Sequence, residues 1–370
     1  MAPNDEESRK ALATLIATAT TLLEQLQSTL TTIQRNPLTP TTPSSSSSSS
    51  SPETTSINAL SLARDTSLLI RAHSTKISLL IINEPFTPSA ISTVVRELIK
   101  GPIPGIATAA QACTPDLYTS VVRKELAYRC QKVLVELWGL LKRVPDDGKV
   151  IPSVERSGSK GSLVLTGKLW DACDEVVKLA DLGVGGFYVR KAEEWRDTLK
   201  DVMEELKEWG EEEEDDEDDV DALADDMNNT SLTDQEMLDD LMNSSSAIPK
   251  SDPDKIRPRL DSTLKRLRMI VLLYQALSKR RFKKLPKDTT TGDIPSKLDK
   301  AASVLETLPH KFGDLAGAFY ELDAEEIDSL MEDCFESAVG VSEVLKLGWQ
   351  GESDEFSEWM EKFKVEVKKT

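Results

Sequence analysis

Apolar side chains recur along this chain at steps of three and four residues, and nowhere do they alternate at steps of two over the length of a strand. In Ser8 to Arg35 the stripe is Leu12, Leu15, Ile16, Ala19, Leu22, Leu23, Leu26, Leu30 and Ile33, one face of a helix about 40 Å long at 1.5 Å per residue. Ser56 to Ile82 carries Leu60, Ala63, Leu68, Ile70, Ile77, Leu80 and Ile81 and is closed by Pro85. A helix from about Pro88 to Lys100 follows, with Gly101 and Pro102 as its stop, and then a longer one from Asp116 to Arg143. Leu163 to Ala180 and Val189 to Trp209 read as a pair joined at Leu182 to Gly186, whose three glycines suit a tight turn. Faces like these are stable only against one another. The pattern predicts an all-α fold that opens with an antiparallel helical bundle over residues 1–210.

Two kinds of segment interrupt the pattern. Pro37, Pro40 and Pro43 lead into eight consecutive serines, Ser44 to Ser51, so residues 37–53 are predicted to be a disordered loop. Residues 145–161, rich in Gly, Ser and Pro, are a second loop. From Glu211 to Asp219 all nine residues are acidic; such a run repels itself and stays extended, which predicts an acidic disordered linker over 211–252. Within it, Val220 to Met242 disperses a few leucines and methionines among acids, and Thr233 with Glu236 forms a capping-box pattern for one short helix. Residues 253–370 then supply four helical patterns, Lys255 to Lys284, Pro295 to Tyr320, Ala324 to Leu347 and Glu355 to Lys368. They predict a second, smaller antiparallel bundle.

Charge narrows the partners. The chain has 64 acidic and 45 basic side chains in 370 residues, a formal charge of -19. That excess repels phosphate, so direct nucleic-acid binding and attachment to an anionic membrane are not expected, and proteins are the expected partners. No apolar run approaches the roughly 20 residues of a membrane span. Met1 to Lys10 is polar rather than a signal peptide, which points to cytoplasm or nucleus and makes the sequons at Asn228 and Asn243 chance matches.

Catalytic chemistry has few residues to work with. Cys113, Cys130, Cys173 and Cys334 contain no CxxC pair and read as reduced thiols packed in helices. His73 and His310 are far apart, which excludes an HExxH zinc site. Gly161 to Lys168 superficially resembles a phosphate loop, but it has one spacer residue too many and Leu169 where Ser or Thr would bind magnesium. The acidic run lacks the ligand spacing and central glycine of a calcium loop. The expectation is a protein that is not an enzyme and has no cofactor or metal.

Binding therefore rests on the interruptions and on one basic run. Glu211, Asp215 and Asp219 are candidates for docking a basic partner surface, and Leu238, Leu241 and Met242, at helical spacing in a segment poor in core residues, for filling a partner's groove. Lys279, Arg280, Arg281, Lys283 and Lys284 surround Phe282 at the end of a segment in which Lys255 to Lys287 holds 12 basic residues and one acid. They read as complements to a helix dipole, as a nuclear import signal, or as a clamp for the acidic run.

Several blocks resemble the cyclin-D1-binding protein 1 family, the Grap2 and cyclin-D-interacting proteins. They are Arg64-Asp65-Thr66 through Lys76-Ile77-Ser78-Leu79, Glu84-Pro85-Phe86-Thr87, Gly167-Lys168-Leu169-Trp170-Asp171-Ala172-Cys173-Asp174, and Asp201 to Leu206. Leu308-Pro309, Asp314-Leu315-Ala316 and Tyr320-Glu321-Leu322-Asp323 extend the likeness into the C-terminal block. The resemblance implies a non-enzymatic adaptor of cytoplasm and nucleus that binds cyclin-type or helix-loop-helix-type regulators and restrains the cell cycle and transcription. The alternative reading is a structural scaffold of the vinculin or catenin type.

Overall fold

The computed structural model of the chain describes residues 3–39, 58–152, 156, 161–211, 248–286 and 293–369. No strand occurs among the described residues, and the fold is all-α as the spacing predicts. The helices are α1 (Pro3–Arg35), α2 (Ala59–Ile82), α3 (Pro88–Lys100), α4 (Pro102–Ala112), α5 (Pro115–Tyr118), α6 (Ser120–Leu141), α7 (Ser162–Glu211), α8 (Ile256–Arg280), α9 (Ile294–Tyr320), α10 (Ala324–Val344) and α11 (Glu355–Lys368), with a single 3-10 turn at Phe282–Lys284. Two compact units divide the chain, Met1–Phe187 with Lys287–Asp299, and Tyr188–Pro286 with Lys300–Thr370. The division falls at Phe187, whereas the sequence reading draws it at 210.

In the first unit α1 lies along α6 and α3, and α2 lies along α4 and α3. Most of the predicted stripe positions form its core: Leu23, Leu30 and Ile33 of α1 and Ile70, Ile77 and Ile81 of α2, joined by Leu126, Val133 and Leu137 of α6, are all fully or almost fully buried, whereas Leu68 of the α2 stripe faces solvent. Arg129 of α6 donates to the Glu175 carbonyl at 2.7 Å and so holds the first half of α7 in place. Three local features differ from the reading. The helix expected from Asp116 breaks at Thr119, whose φ of 83° is left-handed and whose hydroxyl accepts from Val122 N to start α6 afresh. Helix α4 occupies a stretch that Pro102 was expected to close, because a proline in the first turn gives up no helical hydrogen bond. The glycine-rich turn shrinks to one residue, Gly183 (φ 63°, ψ -174°), with helix on both sides.

In the second unit the latter part of α7 buries Tyr188, Leu199, Leu206 and Trp209. Tyr188 meets Phe282 in a tilted ring contact at 5.6 Å, and Trp209 meets the Tyr320 ring edge-on at 5.4 Å. These contacts give that part of α7 its place with the C-terminal helices. Helix α8 packs against α10 and α11. Helix α11 begins at a capping box in which Asp354 accepts from Ser357 N and Ser357 accepts from Asp354 N.

Candidate partner-binding surfaces

Helix α2 is apolar on two faces. Its N-terminus is set by Asn58, whose side chain accepts from Ser61 N at 2.9 Å, and its inner face carries Ala63, Ile70, Ile77 and Ile81 into the core. The outer face places Leu68, Ala72, Thr75 and Leu79 at steps of four, three and four, which is one line down the helix. Leu68 is 38% exposed, Leu79 52% and the adjacent Leu69 49%. This is the spacing by which a helix pairs with another helix, here turned to solvent.

One flank of that seam packs along α7. Arg64 donates to Asp181 at 3.0 Å, Arg71 lies 3.5 Å from Asp174 and 5.5 Å over the Trp170 ring, and the Thr166 hydroxyl donates to Ser78 Oγ at 3.1 Å. The residue numbers descend along α7 as they rise along α2, so the two run antiparallel. On the other flank His73 Nδ1 lies 3.4 Å from Glu97. Burial and the nearby Lys76 lower the imidazole pKa from the usual 6.5 against the pull of Glu97, which favours the neutral ring. A second solvent stripe, Lys124, Tyr128, Lys132 and Val135 on α6, alternates charge with apolar surface. Sequence reasoning missed both. The signal was there in the doublets Leu68-Leu69 and Leu79-Leu80, which put apolar residues on opposite faces of one helix.

The residues that the sequence nominates fare differently. Glu211 ends α7, is exposed, and pairs with Lys207 at 3.5 Å. Asp215, Asp219, Leu238, Leu241 and Met242 lie outside the described residues. Lys279, Arg280, Lys283 and Lys284 are exposed, but Arg281 between them is fully buried. Its guanidinium donates to the carbonyls of Leu345 and Lys346, forms a two-pronged pair with Asp354 at 2.9 Å, and lies 4.5 Å over the Phe356 ring. The basic run is thus not one continuous exposed face.

Features that mimic catalytic sites lose that character in three dimensions. Gly161 to Lys168 enters α7 at Ser162, with Leu165 N already donating to the Gly161 carbonyl, so it forms the first turns of a helix and not a loop that wraps a phosphate. All four cysteines are free and buried. Among the described residues no three His, Cys, Asp or Glu side chains converge to hold a metal ion. No described helix is long and apolar enough to cross a membrane. A groove of about 200 Å³ runs between α1 and the end of α6, walled by Leu12, Ile16, Leu141 and Val144. That is smaller than the roughly 300 to 1,000 Å³ of sites that enclose a cofactor, and it suits a side chain or two.

Residues 64–212 match the family model described as Grap2 and cyclin-D-interacting, N-terminal. The matched span contains the α2 seam near its start and the α6 stripe near its middle. It covers the N-terminal blocks on which the resemblance was read, while the Leu308 to Asp323 block lies beyond it. An uncharacterized protein of Schizosaccharomyces pombe is 22% identical over 308 residues, spanning 83% of this chain and 84% of its own length. No solved structure matches the chain.

Proposed function

We propose that the protein is a non-enzymatic, protein-binding regulator that presents the outer face of α2 to an amphipathic helix of its partner. The observation that carries this is the line Leu68, Ala72, Thr75 and Leu79, in which both leucines and Ala72 are turned to solvent on a helix inside the family-matched span. Two exposed leucines on one helical line carry a free-energy penalty in water that a partner helix relieves. The family description names cyclin D, so cyclin-type regulators are the first partners to test, with helix-loop-helix regulators beside them. Restraint of such a partner follows from occupying its helix-binding surface. Action in both cytoplasm and nucleus belongs to the same reading.

The test measures binding of the full chain to a purified D-type cyclin and to a helix-loop-helix dimerisation segment by calorimetry. The double substitution Leu68→Glu and Leu79→Glu should weaken the interaction at least tenfold, about 1.4 kcal/mol, with unchanged helicity. Equal affinity in the double variant, or no binding of either probe to the parent chain, sinks the proposal.

A further inference from the structure

The basic residues of α8 and the 3-10 turn sort into two groups. Arg257 donates to the carbonyls of Gly210 and Ile248, Arg259 pairs with Asp328, Arg266 lies 3.6 Å over the Phe335 ring, and Arg281 is locked to Asp354. These build the second unit. The others do not. Lys265, Arg268, Lys279, Lys283 and Lys284 are exposed and make no ion pair among the described residues, and Arg280 has one distant carboxylate, Glu355 at 3.9 Å.

Their placement is regular. Asp261, Lys265, Arg268, Leu272, Gln275 and Lys279 follow steps of four, three, four, three and four, a single solvent line on α8. Lys265 to Arg280 spans about 22 Å at 1.5 Å per residue. On one helix like charges at three- and four-residue spacing repel, so Lys265 and Arg268 oppose one another until an anion lies between them. At the middle of the line Leu272 is 43% exposed. Beyond Asp261, which opens the line, positive charge at Lys265 and Arg268 and again at Lys279, with the apolar Leu272 between them, is the complement of an acidic amphipathic segment, whose carboxylates meet the two basic ends while one apolar residue covers Leu272.

We infer that the outer face of α8 is a second docking surface, which takes an acidic amphipathic segment of another protein. It is separate from the α2 seam in residues and in chemistry, so it stands or falls independently. A nucleic acid fits less well, because the exposed Leu272 between the charges offers a phosphate backbone nothing.

The experiment uses the full chain and a labelled helical peptide carrying four glutamates and one central leucine, with a glutamine version as control, read by fluorescence anisotropy. The acidic peptide should bind at about 0.1 M salt and weaken at least tenfold at about 1 M, where the Debye length falls from about 10 to about 3 Å. Lys265→Glu with Lys279→Glu and Lys283→Glu should lower affinity at least tenfold while D-type cyclin binding stays as in the parent. Leu272→Ser should weaken the leucine peptide and leave a leucine-free acidic peptide unchanged. The unfolding midpoint of each variant is checked against the parent. Three results overturn the assignment: equal binding of the glutamine peptide, preference for a single-stranded oligonucleotide over the peptide, or peptide binding that appears only after Glu211 to Asp219 are changed to glutamine. The last would give the surface to the chain's own acidic run.

Discussion

The hydroxyl of Tyr274 donates a 2.7 Å hydrogen bond to the main-chain oxygen of Leu305, the oxygen that Pro309 leaves without a helical donor. In α9 the carbonyl of residue 305 looks to the amide of residue 309, and proline has none. The site is fully buried, so water cannot substitute. Burial also holds the Tyr274 phenol pKa well above its ordinary 10, which keeps it a donor at every physiological pH.

Tyr274→Phe should therefore destabilise the second unit by about 1–3 kcal/mol, the range for leaving one buried acceptor unmade. Pro309→Ala restores an amide at that position and removes the need for the hydroxyl. In that background Tyr274→Phe should be much milder. Urea unfolding followed by tryptophan fluorescence on the four corners of this cycle gives the coupling, and strictly additive penalties would contradict the account.

Asp354 makes the pH dependence of this unit predictable. The Arg281 guanidinium, with help from Ser357, holds its carboxyl well below the usual carboxylate range. A carboxyl depressed in the folded state contributes stability that is complete above its unfolded pKa of about 3.9 and is lost as pH falls toward the folded value. Asp354→Asn keeps a competent helix cap but strips the buried guanidinium of its counter-charge. It should cost roughly 3 kcal/mol at neutral pH, the lower end for breaking a buried pair, because the Leu345 and Lys346 carbonyls still hold Arg281. Between pH 5 and pH 2 the variant's stability should fall less steeply than the parent's. Trp349, which donates to the Arg281 carbonyl at 2.9 Å, is the local reporter.

How far the fold was legible in sequence depends on what one-dimensional spacing can express. Glu355–Lys368 is recovered to the residue because amphipathic spacing and a start signal coincide there. Helix α4 was not, because Gly101 and Pro102 read as a stop, whereas a proline in the first turn of a helix is tolerated. The outer seam of α2 was hidden by the inner one, since a count of apolar residues does not separate two faces. Arg281 and Lys283 look alike in a basic run. Only the fold shows that one points into Asp354 and the Phe356 ring while the other points into water.

At Gly105 helix α4 lies close against α2. A methyl group built there would sit 2.6 Å from Thr66 Cγ2. Thr66 cannot swing aside freely, because it is β-branched and its hydroxyl is bonded to the Leu62 carbonyl at 2.7 Å. Gly105→Ala should thus destabilise the first unit by roughly 1–3 kcal/mol, although alanine is the better helix former. Gly105→Ala combined with Thr66→Ser, which removes the opposing methyl, should recover most of the loss. A stabilising effect of Gly105→Ala alone would show that the two helices have slack at this point.

The cysteines should be silent in the folded protein. Burial pushes the thiols of Cys113, Cys173 and Cys334 up to about 12, and Cys130 higher still. Only the thiolate attacks a disulfide reagent, and at pH 8 a thiol of pKa 12 is ionised to about one part in ten thousand. An aromatic disulfide titrant should find less than one reactive thiol within minutes in buffer and all four in guanidinium. A fast native equivalent would mark local opening around one cysteine.

The start of α6 depends on a residue far along the chain. Both carboxylate oxygens of Asp299 accept from Ser120 N, at 2.8 and 3.0 Å, and one also accepts from Val121 N at 3.3 Å. Thr119 takes the next free amide, Val122 N, so the first three amides of α6 are all satisfied by side chains. Asp299 acts as a cap supplied from another helix, and its negative charge also meets the positive end of the α6 dipole. Asp299→Ala should lower the stability of the first unit by about 1–2 kcal/mol, and Asp299→Asn, which keeps an acceptor without the charge, by about half as much. Hydrogen exchange separates this from a general loss of packing. The Ser120 and Val121 amides should lose protection first and most, while Leu134 and Leu137 near the other end of α6 should change only with global stability; uniform loss along the helix would reject the capping role.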